Sequence, residues 1–122
     1  MKATPSPSMQ TIIDRLAVED AGKPDPTTLP PEEGRALAAA NAHRWIEPKP
    51  EMTRVEDITL AGRDARLLVP GNDEGNGAIL YIHGGGWAFC SLSTHETIAR
   101  ALAVEAAAPV ITVSYRLAPE NP

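Results

Sequence analysis

The sequence is poor in the residues that define several common classes of protein. Cysteine occurs once, at Cys90, so no intrachain disulfide can form, and the cytoplasm is the compartment that we expect. Basic residues are in the minority, 11 against 16 acidic residues, and the net charge of -5 argues against nucleic acid as a partner. Apolar runs such as residues 78–82 are far shorter than a membrane span, and residues 1–8 contain no apolar core of a secretory signal.

The composition that remains suits one small domain with a modest core, since 43% of the residues are hydrophobic but only 4% are aromatic. Eight of the 12 prolines fall within residues 1–50, which therefore cannot form one continuous element. The pattern predicts a short helix over residues 9–19, a linker over residues 22–28 and a second helix over residues 30–45. These helices have little core of their own, and we interpret them as an appendage.

Beyond residue 50 the pattern changes to that of strands. Alternating apolar residues on either side of a turn at residues 61–64 predict an antiparallel pair with one wet face. Residues 78–82 are apolar without alternation, which is typical of a strand buried on both faces, and the β-branched residues 110–113 predict another buried strand.

A helix is predicted between these two strands, over residues 94–107. Ser93 and Glu96 have the spacing of a capping box at its start. Four residues are expected to face the sheet: Ile98, Ala101, Leu102 and Ala106. Strand, helix and strand within about 37 residues make a right-handed crossover between parallel strands, so the predicted fold class is α/β.

A run of three glycines follows the first of these buried strands, in the sequence His-Gly-Gly-Gly-Trp at residues 83–87. Ligands of α/β sheets bind at that end of the strands, and glycines let backbone N–H groups approach a ligand closely. The N–H groups could stabilise an oxyanion or cradle a phosphate, and a tight turn without a ligand is the third alternative. Neither GxGxxG nor a Walker pattern is present, and an HGGG-type loop favours the oxyanion.

The glycine run belongs to a larger pattern. Residues 81–87 (Tyr-Ile-His-Gly-Gly-Gly-Trp), 93–96 (Ser-Thr-His-Glu) and 113–120 (Val-Ser-Tyr-Arg-Leu-Ala-Pro-Glu) closely resemble the hormone-sensitive-lipase-like (HGGG) branch of α/β-hydrolase esterases. The resemblance implies that residues 1–50 are N-terminal cap helices and a linker. It implies that residues 51–122 are the first part of the α/β-hydrolase domain, truncated after the fourth strand.

The resemblance also implies an activity and a site. It points to a carboxylesterase acting on short to medium acyl esters, without a metal or an organic cofactor. The oxyanion donors would be N–H groups of Gly84, Gly85 and Gly86, chiefly the last two. His83 would orient this loop, Trp87 would line the pocket, and residues 115–120 would brace the loop from beneath. Two positions depart from the usual pattern, with Cys90 in place of glycine and Ser114 in place of aspartate.

The nucleophile of that family has no counterpart in the 122 residues. The family uses a serine in a Gly-x-Ser-x-Gly elbow, followed by an acid and a histidine, and the sequence contains no such elbow. Three serines lie near the glycines, but their spacing to His83 and His95 defines no triad, and we expect structural roles for Ser91, Ser93 and Ser114. We likewise expect Cys90 to be a half-buried small side chain, and Arg116 to pair with Glu120.

Three functions remain open at this point. The first is an N-terminal fragment of a serine carboxylesterase or lipase-like hydrolase, whose partner is a small ester. The second is a non-catalytic remnant that acts by binding or by pairing its strand edge with another protein, and the third is an anion- or nucleotide-binding module. We expect the first, with the chain inactive on its own. We also expect self-association, because residues 78–82 would present an unpaired apolar edge.

Overall fold

A computed structural model describes residues 4–122, which form three α-helices and one four-stranded sheet. In chain order the elements are α1 (Pro7–Glu19), α2 (Pro31–Ala42), β1 (Arg54–Leu60), β2 (Arg63–Val69), β3 (Ile79–Ile82), α3 (Glu96–Ala106) and β4 (Val110–Val113). Three short 3-10 turns accompany them, at Pro26–Thr28, His43–Trp45 and Ser93–His95. Among residues 4–122 no helix is long and apolar enough to cross a membrane.

The sheet has the strand order β1-β2-β4-β3. β1 pairs antiparallel with β2, and β2 pairs antiparallel with β4. β3 pairs in parallel with β4, in a register that sets Tyr81 beside Thr112. The predicted antiparallel pair and the predicted parallel β-α-β unit are both confirmed.

The core lies between the sheet and one face of α3. Its fully buried members are Leu68, Ala99, Ala103 and Val110, with Met52, Ile79, Tyr81 and Leu102 packed around them. The small side chains of Ala99 and Ala103 let α3 approach the strands closely. The predicted stripe of α3 was therefore largely wrong: Ile98 is 56% exposed, Ala101 and Ala106 are exposed, and only Leu102 contacts the core.

Glu96 explains why the helix turned a different face to the sheet. The residue is only 4% exposed and lies on the same face as Ala99 and Ala103. It accepts hydrogen bonds from Arg66 Nη1 at 2.7 Å and Arg100 Nη2 at 2.6 Å, which offset the cost of burying the charge. The predicted capping box is accordingly wrong, because Glu96 binds two arginines instead of the backbone.

β3 is an edge strand, and its burial differs from the prediction. Ile79 and Tyr81 pack on the core below α3, whereas Leu80 and Ile82 are 55% and 61% exposed on the opposite face. The expectation of burial on both faces was wrong for this chain, because α3 covers only one side of the strand.

The first N-terminal helix begins two residues earlier than predicted, at Pro7 instead of residue 9, and α2 begins at Pro31, one residue after the predicted start. Ser6 caps α1 by accepting the Met9 N–H at 3.3 Å, and Pro7 occupies the first turn. α2 ends at Ala42, and the residues predicted to extend it to 45 form a 3-10 turn instead. Arg44 in this turn binds Glu19 at 2.8 Å, which holds α1 against the end of α2.

Candidate active site

The glycine loop begins where β3 ends, at the carboxyl end of the parallel strands. It folds back on itself, because Gly85 O accepts hydrogen bonds from the N–H groups of Ala88 at 3.1 Å and Phe89 at 2.9 Å. Gly85 has φ 127° and Gly86 has φ 59°, conformations that favour glycine. A Cβ at position 85 would overlap Phe89 O and lie 2.7 Å from Phe89 C, so no larger residue fits there.

His83 is buried beneath this loop, with only 6% of its surface exposed. Its Nδ1 lies 2.8 Å from Gly84 O, a distance at which the ring N–H donates to the carbonyl. The ring stacks on Tyr115 with centroids 4.4 Å apart, and the Tyr115 hydroxyl donates to His83 O at 2.8 Å. Burial, with a smaller contribution from Cys90, raises the pKa of Tyr115. The hydroxyl therefore stays protonated and able to donate at neutral pH.

Arg35 of α2 reaches the far side of the loop, a contact that sequence reasoning missed. Its Nε donates to Ala88 O at 2.8 Å, and its Nη2 donates to Ala118 O at 2.6 Å. Both terminal nitrogens also bind the Glu120 carboxylate, at 3.0 and 2.7 Å. The hydrogen bond from Arg35 lowers the pKa of Glu120. The predicted Arg116–Glu120 pair was wrong, since Glu120 binds an arginine 85 positions away in the chain.

An open cleft of about 650 Å³ lies above the glycine loop. Trp87 stands at its side with 75% of its surface exposed and with φ 59°, which is unusual for a large side chain. The cleft is lined by the following residues: Arg63, Ile82, His83, Gly84, Gly85, Gly86, Trp87, Val113, Tyr115, Arg116, Asn121 and Pro122. All five residues singled out at positions 83–87 therefore meet in one cleft.

The nearby serines form no catalytic pair with histidine among residues 4–122. Ser91 and Ser93 share a hydrogen bond between their hydroxyls at 2.9 Å, and the His95 ring binds Thr94 Oγ1 at 3.1 Å. Ser91, not Ser93 as predicted, accepts a backbone N–H, that of Thr94 in the 3-10 turn that precedes α3. Ser114 directly follows β4. Burial, with a smaller effect of His83, lowers the pKa of His95, so this ring is neutral at pH 7.

The two departures from the family pattern lie close together. Cys90 is half-buried, as predicted, and has φ 70°. Cys90 and Ser114 both line a smaller cavity of about 330 Å³, to which His83 and Tyr115 also contribute. Among residues 4–122 no three histidine, cysteine or acidic side chains are grouped so that they could hold a metal ion.

Comparisons with known proteins agree with this architecture. Residues 79–122 match a family model described as the alpha/beta hydrolase fold. The chain is 39% identical over 97 residues to the ethyl acetate hydrolase of Pseudomonas putida, covering 73% of this chain and 28% of that protein. It is 36% identical over 107 residues to a carboxylesterase of Mycobacterium tuberculosis, covering 80% of this chain and 33% of the relative. The chain thus spans about a third of the length of these relatives.

Solved structures give the same result. An ester hydrolase from the metagenome of Lake Arreo superposes with a TM-score of 0.86 and 28% identity, over 98% of this chain and 40% of that one. An esterase of the bacterial hormone-sensitive lipase family superposes with a TM-score of 0.78 and 26% identity, over 98% of this chain and 38% of the other. The chain therefore has the fold of an α/β hydrolase. Within that class it belongs to the esterases related to hormone-sensitive lipase, and it matches the N-terminal half of their fold.

Proposed function

We propose that the glycine loop is the oxyanion hole of a serine carboxylesterase acting on short to medium acyl esters. The observation that carries this proposal concerns the loop amides. Within residues 4–122 the N–H groups of Gly84, Gly85 and Gly86 have no hydrogen-bond acceptor, whereas those of Ala88 and Phe89 bind Gly85 O. Three unengaged donors therefore border one cleft, where they can receive a charge that forms during a reaction.

The proposed chemistry is acyl transfer. A serine outside these 122 residues attacks the ester carbonyl carbon, its proton passes to a base, and the carbonyl oxygen becomes an oxyanion. The N–H groups of Gly85 and Gly86 donate to that oxygen, each contributing about 3 kcal/mol to transition-state stability. The C–O bond to the alcohol then breaks, the alcohol leaves with the proton, and water repeats the sequence to release the acid.

The surrounding residues have supporting roles in this proposal. His83 holds Gly84 O and thereby orients the loop, and Tyr115 fixes the backbone of His83. Trp87 supplies an apolar wall for the ester. The exposed surface of the N-terminal cap around Trp45, which is half exposed and has the Arg15 guanidinium 5.3 Å from its ring, sets the preference for acyl chain and alcohol.

A relative lends chemical support to the oxyanion assignment. The Lake Arreo ester hydrolase forms a complex with a bipyridine phosphonate derivative. A phosphonate carries oxygens around a tetrahedral phosphorus, and so it resembles the tetrahedral intermediate of ester hydrolysis in shape and charge.

A cytoplasmic location for the whole protein remains a prediction from its sequence.

The second candidate function is binding without catalysis, and the edge strand favours it. Leu80 and Ile82 expose apolar surface beside the free edge of β3, where another chain could add a strand. In this case the glycine loop would be a structural turn only.

An active chimera distinguishes the two functions. The chimera carries residues of this chain in place of the matching segment of the Pseudomonas putida ethyl acetate hydrolase. Its hydrolysis of ethyl acetate and of p-nitrophenyl acetate is then measured. The proposal expects a folded, active chimera in which Gly85→Ala lowers kcat about 100-fold, because the added Cβ displaces the loop by about 1 Å.

The control is Gly75→Ala, which also replaces a glycine with positive φ but meets no atom within 4 Å and does not line the cleft. It should leave kcat within about twofold of the parent. A chimera that melts cooperatively yet hydrolyses neither ester would refute the proposed function. Equal kcat values in the two glycine variants would refute the role of the loop.

A further inference from the structure

We propose that Arg35 is a positioning residue for the oxyanion hole, holding the Gly85–Gly86 peptide in its donating orientation from a helix outside the sheet. This inference rests on the proposed function of the glycine loop. It concerns a residue that contributes no atom to the cleft lining and that acts only through the backbone.

The first step is a hydrogen-bonded series of peptide groups. Arg35 Nε donates to Ala88 O at 2.8 Å, and the N–H of that same peptide group, on Phe89, donates to Gly85 O at 2.9 Å. Gly85 O belongs in turn to the peptide group whose N–H is that of Gly86. One peptide group, Ala88–Phe89, thus separates the guanidinium from the peptide group that carries a proposed oxyanion donor, the Gly86 N–H. Each hydrogen bond in the series donates in the same direction, so each bond strengthens the others.

A second series reaches the same carbonyl. Arg35 Nη2 donates at 2.6 Å to Ala118 O, which is part of the Ala118–Pro119 peptide group. The N–H of the preceding peptide group, on Ala118, donates to Trp87 O at 2.8 Å, so these two hydrogen bonds are joined through the Ala118 Cα. The peptide group that carries Trp87 O also carries the Ala88 N–H, which donates to Gly85 O at 3.1 Å. Both series therefore end on Gly85 O, and together they fix the plane of the Gly85–Gly86 peptide.

The helix is built to bring Arg35 this close. Gly34, which precedes it in α2, is buried, and a Cβ there would overlap Pro26 O and lie 3.5 Å from the Phe89 ring. The Arg35 side chain is itself only 26% exposed, and Glu120 holds its terminal nitrogens in the required plane. A guanidinium fork can serve two carbonyls and a carboxylate at once, which a lysine ammonium on a flexible stem cannot do with the same geometry.

The chain offers a matched control for this arginine. Arg44 also lies near α2, also binds carboxylates, at 2.8 and 2.7 Å, and also donates to a backbone carbonyl, that of Asn41. Its side chain is 16% exposed, so it is buried at least as well as Arg35. It differs in lying on the α1 side of the helix, away from the glycine loop.

The test compares Arg35→Lys, Arg35→Met and Arg44→Met in the active chimera. We expect both Arg35 variants to lower kcat, by about 10- to 100-fold, with KM changed less than about threefold. The lysine variant separates geometry from charge, since it keeps the charge and should still lose kcat. Arg44→Met should keep kcat even where it lowers the melting temperature. Arg35→Lys or Arg35→Met with the parental kcat would overturn the inference.

A second readout, on residues 1–122 themselves, is independent of catalysis. Amide hydrogen exchange at Phe89 and Ala118 should be at least tenfold faster in Arg35→Met than in the parent chain, and unchanged in Arg44→Met. If the chimera is folded but inactive, the proposed function fails, and this exchange measurement alone decides whether Arg35 holds the loop. Unchanged exchange at both amides would show that it does not.

Discussion

Glu96 is a buried acid, only 4% exposed, that is held by two arginines. Burial alone raises the pKa of its carboxyl, but the hydrogen bond from Arg100 and the charges of Arg100, Lys49 and Arg66 outweigh burial, and the net pKa lies below its ordinary value. A carboxyl whose pKa is lowered on folding stabilises the folded state above its unfolded pKa. That contribution is lost as the pH falls through the folded pKa.

We therefore predict that Glu96→Ala lowers the free energy of unfolding at pH 7 by about 3 kcal/mol, because two arginines lose a buried partner. Urea denaturation gives the value, and Glu105→Ala, an exposed acid on the same helix, should change it by less than about 0.5 kcal/mol. The difference between Glu96→Ala and the parent should shrink below about pH 4. A difference independent of pH would contradict the assigned charge interactions.

The hydrogen bond from the Tyr115 hydroxyl to His83 O supports the glycine loop, and removing one oxygen atom tests its contribution. Removing its hydroxyl in Tyr115→Phe leaves His83 O without its donor, and we expect a loss of about 1 kcal/mol in the free energy of unfolding. Tyr81→Phe is the matched variant, since the Tyr81 hydroxyl has no hydrogen-bond partner within residues 4–122. Equal losses in the two variants would argue against the Tyr115–His83 bond.

At the scale of elements, the two edges of the sheet differ in protection. β1 carries Arg54, Glu56 and Asp57 along its length, whereas β3 carries no charge at all. Charged side chains on an edge strand oppose pairing with another chain, and an apolar edge invites it. β3 is thus the edge at which copies of the chain are expected to associate.

We predict concentration-dependent self-association of the 122-residue chain at micromolar concentration, measurable by sedimentation velocity. Leu80→Lys should shift the chain toward monomer, whereas Val55→Lys on the edge strand β1 should have little effect. A parent chain that sediments as a monomer throughout would contradict this prediction.

The sequence predicted local elements better than the contacts between them. Alternating apolar residues and uninterrupted apolar runs identify β1 to β4. These patterns can be read from the sequence because the two-residue period of a strand involves only residues that are close together in the chain. The predicted sheet-facing side of α3 was wrong because Glu96 is buried in an ion pair with Arg66, 30 positions away in the chain. The spacing of apolar residues in the sequence contains no information about such an ion pair. Arg35 was missed for the same reason, since its partners at 88, 118 and 120 are adjacent only after folding.

The glycine loop was the most predictable part of the site. Its residues are consecutive, and positive φ angles and close backbone approach select glycine locally. The bracing of the loop by Tyr115 depends on the parallel pairing of β3 and β4, which the strand-helix-strand pattern also indicates. Which side chain fixes the outer side of the loop depends instead on where α2 packs, and no motif encodes that.

The whole molecule exposes more surface than a compact protein of its size. Its accessible surface is 8103 Å², whereas a folded monomer of 13.0 kDa exposes about 6,300 Å². Part of the excess lies on Leu80, Ile82 and Trp87, around the cleft and the β3 edge. This agrees with a chain that spans about a third of its esterase relatives, in which the proposed site would be completed by further residues.

The most direct test of the central claim is a crystal structure of the active chimera with a phosphonate ester bound. The oxyanion assignment predicts a phosphonyl oxygen within about 3 Å of the N–H groups of Gly85 and Gly86. It also predicts that Arg35 keeps its contact with Ala88 O in the complex. A phosphonyl oxygen that binds elsewhere, with both glycine N–H groups facing solvent, would contradict the account.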